Sequence, residues 1–445
     1  MLTILKLYNG QKVMKSGQLR EFLEKETARG RVLKVKEVFS SKYQATKLIK
    51  QYDAKMIVLF ENIDYKPFKV VANTILNRKQ LLEIFEVANH VNAYKRLLDA
   101  CEHPADVLVT SKPKNLEAFE GDLNDLPILT YYEGDAGPYI TAGIVVAKDC
   151  EEKFQNISIH RMLVIDEKHL VIRIVPRHLY RILQKAKKRG ENLKVAVLLG
   201  VHPFLLLAAA SSPPYGVDEL KVAAKLLNGL TVFKSNVSGL LLPTDCEIIL
   251  EGEILIDREE WEGPFVDITG THDIKRRQPV LRVDRILVKK EKPIYQAILP
   301  AGTEHKLLMG FYREAKIWHA VKNVVPSVKE VRLTDGGCGW LSCVISIQKV
   351  NEGDPKNAML AAFAAHPSLK MVIVVDEDIN VDNPVEIEWA MVTRMQPDKD
   401  LLVISGVRGS SLDPSADQEK MLTSKLGIDA TIPLNKPREH FIKKI

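Results

Sequence analysis

Cysteine is scarce in this chain: there are five in 445 residues, at Cys101, Cys150, Cys246, Cys338 and Cys343. An odd, scattered set in so long a chain excludes a disulfide framework as the basis of the fold. None falls in the paired CxxC spacing of a structural zinc site. Long apolar runs are missing too. The most apolar stretch, Val195 to Ala210, is interrupted by Gly200, His202 and Pro203 and is too short to span a bilayer. It reads as a buried strand, a turn and the start of a helix. Met1 to Leu19 has mixed polarity and nothing resembling a signal peptide, so a cytoplasmic location is expected. Neither GxGxxG nor GxxxxGK(S/T) occurs, which excludes the usual dinucleotide and P-loop signatures. There is no internal repeat and no long low-complexity tail. The 63 basic and 57 acidic residues leave only +6. That excess is too dilute to imply a nucleic-acid partner, which needs a clustered basic face with interleaved aromatics. A compact basic patch could still hold a phosphate or an acidic metabolite.

What is present is enough apolar residue, 46% of the chain, for two or three domains rather than one core. Residues 1–115 read as an α/β domain. It has a helix over Ser16–Thr27, strands near Val32–Val38, Met56–Phe60 and Val70–Asn73, and a helix over Arg78–Val91. Ser111–Pro127 is a polar, proline-bearing excursion. Residues 116–300 are strand-rich, with helices over Ile182–Arg189 and Asp218–Leu227. Residues 301–445 alternate strand and helix, which predicts a second α/β domain.

Several clusters of polar residues fall in the middle third. In Asn156-Ile157-Ser158-Ile159-His160-Arg161, a continuous strand would put Asn156, Ser158 and His160 on one face and Arg161 on the other. A bulge or bend is needed to bring Asn156 and Arg161 into one site. In Pro176-Arg177-His178, the histidine could ligate a metal or hold a phosphate, or simply be a satisfied histidine. Asp218 is placed to cap the following helix, and Glu219 to sit in its first turn or to ligate a metal. In Glu262-Gly263-Pro264-Phe265-Val266-Asp267, two carboxylates flank a turn, and Trp261 and Phe265 read as buried. Such a pair can divide into a proton donor and a charged partner, with an arginine holding one of them ionised. Asp335-Gly336-Gly337-Cys338-Gly339-Trp340 allows close backbone approach. The acidic run Asp376-Glu377-Asp378 could bind a metal, cap an element or face water.

Taken in order, these segments resemble UbiD-type decarboxylases. The likeness rests on Asn156 to Arg161, the Pro-x-His at His178, the Gly-Val-x-Glu at Glu219 and the Glu-Gly-Pro-Phe-x-acid at Glu262 to Asp267. It extends to the Val-Asp-Glu-Asp-Ile-Asn-Val and Lys-Leu-Gly-Ile-Asp-Ala-Thr runs downstream. The resemblance implies an α/β multidomain fold, with a central split β-barrel flavin domain between N- and C-terminal α/β domains. It implies a homodimer or larger homo-oligomer built through the C-terminal domain. It implies prenylated FMN, supplied by a flavin prenyltransferase and lying along Asn156, Ser158, Ile159, His160 and Arg161. Asn156, His178 and Glu219 would ligate a manganese ion that holds the flavin phosphate, with a potassium ion usual nearby. Arg161, Glu262 and Asp267 would form the catalytic network, Asp267 standing where the family has a glutamate. Within the family, the form of the acid motif is similar to the archaeal branch acting on trans-anhydromevalonate 5-phosphate. That points to a phosphorylated carboxylic acid substrate, with Arg177, Lys275, Arg276 and Arg277 as candidate contributors to a positive pocket. The rivals are 4-hydroxybenzoate, its polyprenyl form, or a non-catalytic flavin-phosphate-binding subunit.

Overall fold

The computed structural model describes residues 18–113 and 115–444. Most of the Met1–Leu19 reading, the first two residues of the Ser16–Thr27 helix, Lys114 of the polar excursion and the terminal Ile445 lie outside the described residues. The chain forms two compact units. The first takes the chain up to Leu81 together with Asp99–Val266 and His272–His305. The second takes Leu82–Leu98, Asp267–Thr271 and Lys306–Ile445.

In the first unit, strands Val32–Val35, Ile57–Phe60, Lys69–Ala72 and Ile294–Ala297 make a four-stranded sheet beside helix Leu19–Ala28. The larger sheet has nine strands and is antiparallel throughout. Its order is Tyr139–Ile140, Met162–Val164, His169–Ile172, Arg276–Lys289, Ile248–Glu262, Leu193–Leu199, Ile144–Asp149 and Phe154–Ile159, with Leu116–Ala118 added on Arg276–Lys289. The runs Val195–Leu199 and Ile144–Val146 are apolar and wholly buried, as expected where both faces of a strand are covered. The long ribbon of Ile248–Glu262 against Arg276–Lys289 changes register twice, after Glu251 and after Ile254. Gly252 makes the first shift possible: a Cβ there would lie 1.8 Å from the carbonyl oxygen of Arg282. The ribbon ends at Glu262, which it delivers to the site described below.

The second unit is built on a mixed sheet ordered Val328–Leu333, Ser342–Ile347, Met371–Asp376, Leu422–Ala430 and Leu401–Arg408, parallel in the middle and antiparallel at both edges. Helices Asp354–Ala365 and Pro384–Arg394 connect its strands, as the strand–helix alternation predicts. Val344, Ile373, Val375, Ile387, Ala390 and Ile428 form its core.

Two local expectations fail. The helix expected over Arg78–Val91 stops at Ile84, and a new helix starts at His90. Glu86 adopts a left-handed φ of 52°, and the Asn89 side chain accepts from the backbone N–H of Asn92 at 2.9 Å, which caps the second helix. Apolar periodicity runs on through the break, so the break leaves no mark in the hydrophobic pattern. Trp261, read as buried, is 51% exposed, with the Lys275 ammonium 5.2 Å from its ring. Alternation along the strand explains this: Glu262 takes the inward face, so Trp261 must face out. Phe265 is buried as expected.

Glu304, at the start of helix Thr303–Val324, is 1% exposed. It accepts from the Thr74 hydroxyl and from the backbone N–H of Ile75 at 3.1 Å. Burial pushes its carboxyl up from 4.5 to about 7. The folded state therefore keeps a proton that the unfolded chain has released. Its contribution to stability is full below about pH 4.5 and is lost as the pH rises to about 7. Glu304→Gln keeps the acceptor and removes the titration. Denaturant unfolding of this variant is expected to show a flatter stability profile across that window.

Candidate active site

The chain resolves the facing problem of the Asn156–Arg161 segment by ending the strand early. Strand Phe154–Ile159 stops before His160, and the next begins at Met162. His160 and Arg161 occupy the link between them. The His160 N–H donates to the Gly143 carbonyl at 3.0 Å, and the Arg161 carbonyl accepts from the Arg173 N–H at 3.1 Å. Asn156 and Ser158 thus keep the strand's alternation, while Arg161 is turned by the bend.

Arg161 meets Glu262 in a two-point ion pair: Nε to Oε1 at 2.8 Å and Nη2 to Oε2 at 2.9 Å. The Glu262 carboxylate is fully buried and the Arg161 side chain is 9% exposed. The planar guanidinium matches the carboxylate edge to edge, which fixes direction as well as distance. The Phe265 ring lies 4.9 Å from the guanidinium carbon, and the Tyr139 hydroxyl donates to Glu262 Oε1 at 3.2 Å. Burial and the neighbouring Glu262 charge push the Tyr139 phenol well above its ordinary value, so it stays a donor. Arg161 Nη2 also reaches Asp273 Oδ2 at 2.8 Å, and Arg276 Nη1 reaches Asp273 Oδ1 at 2.6 Å.

A second cluster gathers around Asn156 of strand Phe154–Ile159. Asn156 Nδ2 donates to Glu219 Oε1 at 3.0 Å, the Ile157 N–H donates to Glu219 Oε2 at 3.0 Å, and His178 Nδ1 stands 3.5 Å from Glu219 Oε1. Asp218 caps the helix starting at Glu219, its carboxylate accepting from the Leu220 N–H at 2.9 Å, as expected. Glu219 is 1% exposed rather than a surface acid. Burial pushes both carboxyls up, Asp218 to about 6. His160 Nδ1 donates to the Arg173 carbonyl at 2.8 Å, which leaves Nε2 to accept from Ser158 Oγ at 2.9 Å. Burial holds this ring neutral, at about 4. Among the described residues, no three or more His, Cys, Asp or Glu gather as a metal cluster. The Asn156, His178 and Glu219 trio reaches three donors only through an amide.

Residues 108–303 match the model of the 3-octaprenyl-4-hydroxybenzoate carboxy-lyase Rift-related domain, and residues 306–430 match that of the C-terminal domain of the same carboxy-lyase. The anhydromevalonate phosphate decarboxylase of Methanocaldococcus jannaschii is 47% identical over 406 residues, which cover 90% of this chain and 94% of the relative. That of Methanothermobacter thermautotrophicus is 43% identical, covering 94% and 97%. The chain belongs to the UbiD family. Among solved structures, the UbiD-class enzyme HmfF from Pelotomaculum thermopropionicum in complex with FMN superposes with a TM-score of 0.93 at 37% identity, covering 96% of this chain and 97% of that one. An evolved dimeric form of HmfF in complex with prFMN gives 0.88 at 36% identity. The UbiD-class architecture, a central β domain flanked by α/β regions, is therefore the fold of this chain.

Within this UbiD-family frame, the structure joins Asn156, His178 and Glu219, with Ser158 and His160 alongside, and it separately joins Arg161 to Glu262. Ile159 pairs with Ile144 at the strand's end. Asp267 belongs to the second unit's short segment. Its carboxylate accepts from the Ile268 N–H at 2.6 Å, and its N–H donates to the Thr271 carbonyl at 3.1 Å. Sequence reasoning missed Asp273 and Tyr139. Asp273 lies in a basic run and 112 residues from Arg161, so no local spacing marks it. The donor set suits a hard or borderline divalent ion: one carboxylate, one amide and one imidazole, with no sulfur. Ser158 Oγ lies 3.3 Å from Asn156 Oδ1, a long contact that leaves the amide oxygen able to turn to a cation. Among the described residues no helix is long and apolar enough to cross a membrane.

Proposed function

We propose that this chain decarboxylates an α,β-unsaturated acid non-oxidatively with prenylated FMN, converting trans-anhydromevalonate 5-phosphate to isopentenyl phosphate and carbon dioxide. The observation that carries this reading is the near full-length identity to the archaeal anhydromevalonate phosphate decarboxylases. The buried Arg161–Glu262 pair supports an enzyme over a flavin carrier, because phosphate binding alone does not call for it.

Asn156, His178 and Glu219 would hold manganese against the flavin phosphate, with potassium nearby, and Ser158, Ile159, His160 and Arg161 would line the cofactor. When bound, the prenylated flavin supplies the electron sink as carbon dioxide leaves. Glu262 in its protonated form returns a proton to the product carbon. Arg161 fixes the direction of that carboxyl, and Tyr139 donates to the same Oε1 that Arg161 Nε engages. Asp267 is the second acid of the family pattern, with a reach one methylene shorter. A flavin prenyltransferase supplies the cofactor. Subunits assemble through the C-terminal region, where edge strand Leu401–Arg408 exposes Val403. Residues 1–115, 116–300 and 301–445 divide these tasks into N-terminal, cofactor and oligomerisation domains.

The test is to give cofactor-loaded protein trans-anhydromevalonate 5-phosphate and 4-hydroxybenzoate side by side and follow product masses. Isopentenyl phosphate is the expected product. Turnover of the hydroxybenzoate alone would sink the isoprenoid assignment.

A further inference from the structure

The three candidate metal ligands come from three separate pieces of chain. Asn156 lies on strand Phe154–Ile159, His178 starts helix His178–Arg189, and Glu219 starts helix Glu219–Leu227. Two hydrogen bonds, from the Asn156 amide and the Ile157 N–H, tie Glu219 to the strand. His178 is not tied in that way. Among the described residues its ring has one polar contact, Nδ1 at 3.5 Å from Glu219, which is too long to fix the plane of a ring. A histidine ligand is ordinarily oriented by a hydrogen bond from its other ring nitrogen. Here a tyrosine ring does the holding. Tyr215 meets His178 edge to face, with centroids 5.3 Å apart and planes at 85°.

Tyr215 is itself firmly held. Its hydroxyl donates to the Asp149 carboxylate. Asp149 is fully buried and also accepts from the N–H groups of Glu151 and Glu152 and from Lys185 Nζ at 2.7 Å. The Arg181 guanidinium carbon lies 3.8 Å from the Tyr215 ring centroid, and Phe154 packs edge to face against the ring at 5.0 Å. Phe154 precedes Asn156 by two residues, so the two share a strand face, and Asp149 is the register partner of Phe154 on the neighbouring strand. His178, Arg181 and Lys185 share one side of their helix. Tyr215 lies four residues before Glu219, in the loop that leads to that ligand. One ring therefore touches His178, packs on the strand face that presents Asn156, and belongs to the loop that carries Glu219. We propose that Tyr215 is a positioning residue that fixes the His178 ring and brings the three ligand-bearing segments to one metal ion. The inference rests on the ligand set proposed above.

Tyr215→Leu removes the ring, and Tyr215→Phe keeps it and loses only the tether to Asp149. The full chain, stripped of metal and supplied with plain FMN, is titrated with manganese(II) and followed by electron paramagnetic resonance. Manganese affinity is expected to fall about 10- to 100-fold in Tyr215→Leu, the range for partners that orient a metal ligand, and less in Tyr215→Phe. The signal of the manganese that still binds is expected to change shape in Tyr215→Leu, because a ligand has moved, and to keep nearly its wild-type shape in Tyr215→Phe. If Tyr215→Leu does not fold, Tyr215→Met is read the same way. Wild-type affinity and signal in a folded ring-free variant overturn the inference. So does a loss of affinity with an unchanged bound signal, which partial unfolding alone would give. Glu219→Gln, run in the same series, separates the two readings. If it loses manganese while the ring-free variant binds as wild type, only the inference fails. If it keeps full manganese, the ligand set fails and the inference with it.

Discussion

Glu262→Gln is expected to lose decarboxylation by at least about 100-fold, and toward about 10,000-fold, while the flavin stays bound. The magnitude is that of removing a positioned proton donor. The amide has the same volume and still accepts from Arg161 Nε, so the side chain stays in its pocket at the end of the Ile248–Glu262 strand. It cannot deliver a proton. The variant also leaves Arg161 with a neutral partner, which adds a folding cost. Removing one member of a buried pair costs about 3–5 kcal/mol, and Asp273 on Nη2 is expected to keep the loss at the lower end. Turnover, thermal unfolding and the flavin spectrum together separate the two effects. Near-normal turnover would remove Glu262 from the role.

Glu219→Gln is expected to act at the other cluster and in the opposite order, on binding before chemistry. Glu219 gathers the Asn156 amide, the Ile157 N–H and the His178 ring around one buried carboxylate. Burial disfavours its charge, and a divalent cation reverses that by stabilising the ionised form. The neutral amide cannot be stabilised in this way. Divalent-metal retention should fall by at least about 100-fold, since even partners one shell away from a metal account for about 10- to 100-fold. Flavin should be lost on dialysis with it. The metal-free variant should unfold no lower than metal-free wild type, because the substitution removes a charge that burial disfavours. Metal analysis of dialysed protein, read beside thermal unfolding, checks both. Full metal and flavin content in the variant would take Glu219 out of the ligand set.

Much of this was legible in the sequence, and the rest was hidden for identifiable reasons. The strand, turn and helix read over Val195–Ala210 and the capping role of Asp218 follow from local pattern, which the folded chain obeys. The ordered motifs from Asn156 to Asp267 carried the family. Alternation alone set Arg161 on the wrong face of its strand, because it cannot show where a strand ends. The end at Ile159 is set by hydrogen bonds from His160 to Gly143 and from Arg173 to Arg161, contacts made only after the sheet assembles. Trp261 misled for a related reason: a large apolar residue suggests burial, but strand geometry gave the inward place to Glu262. Asp273 was invisible because its partner is decided by the register of Phe265–Val266 on His272–Asp273, not by any spacing along the chain.

The central claim is that this chain performs a decarboxylation that requires the prenylated form of the flavin. The most direct measurement compares carbon dioxide release from trans-anhydromevalonate 5-phosphate by two preparations of the full chain handled without oxygen. One is loaded with prenylated FMN by a flavin prenyltransferase, and the other with plain FMN. Release by the prenylated preparation alone, matched by isopentenyl phosphate, is the predicted result. Equal release by both, or none from protein whose bound flavin has the mass of the prenylated form, would contradict it.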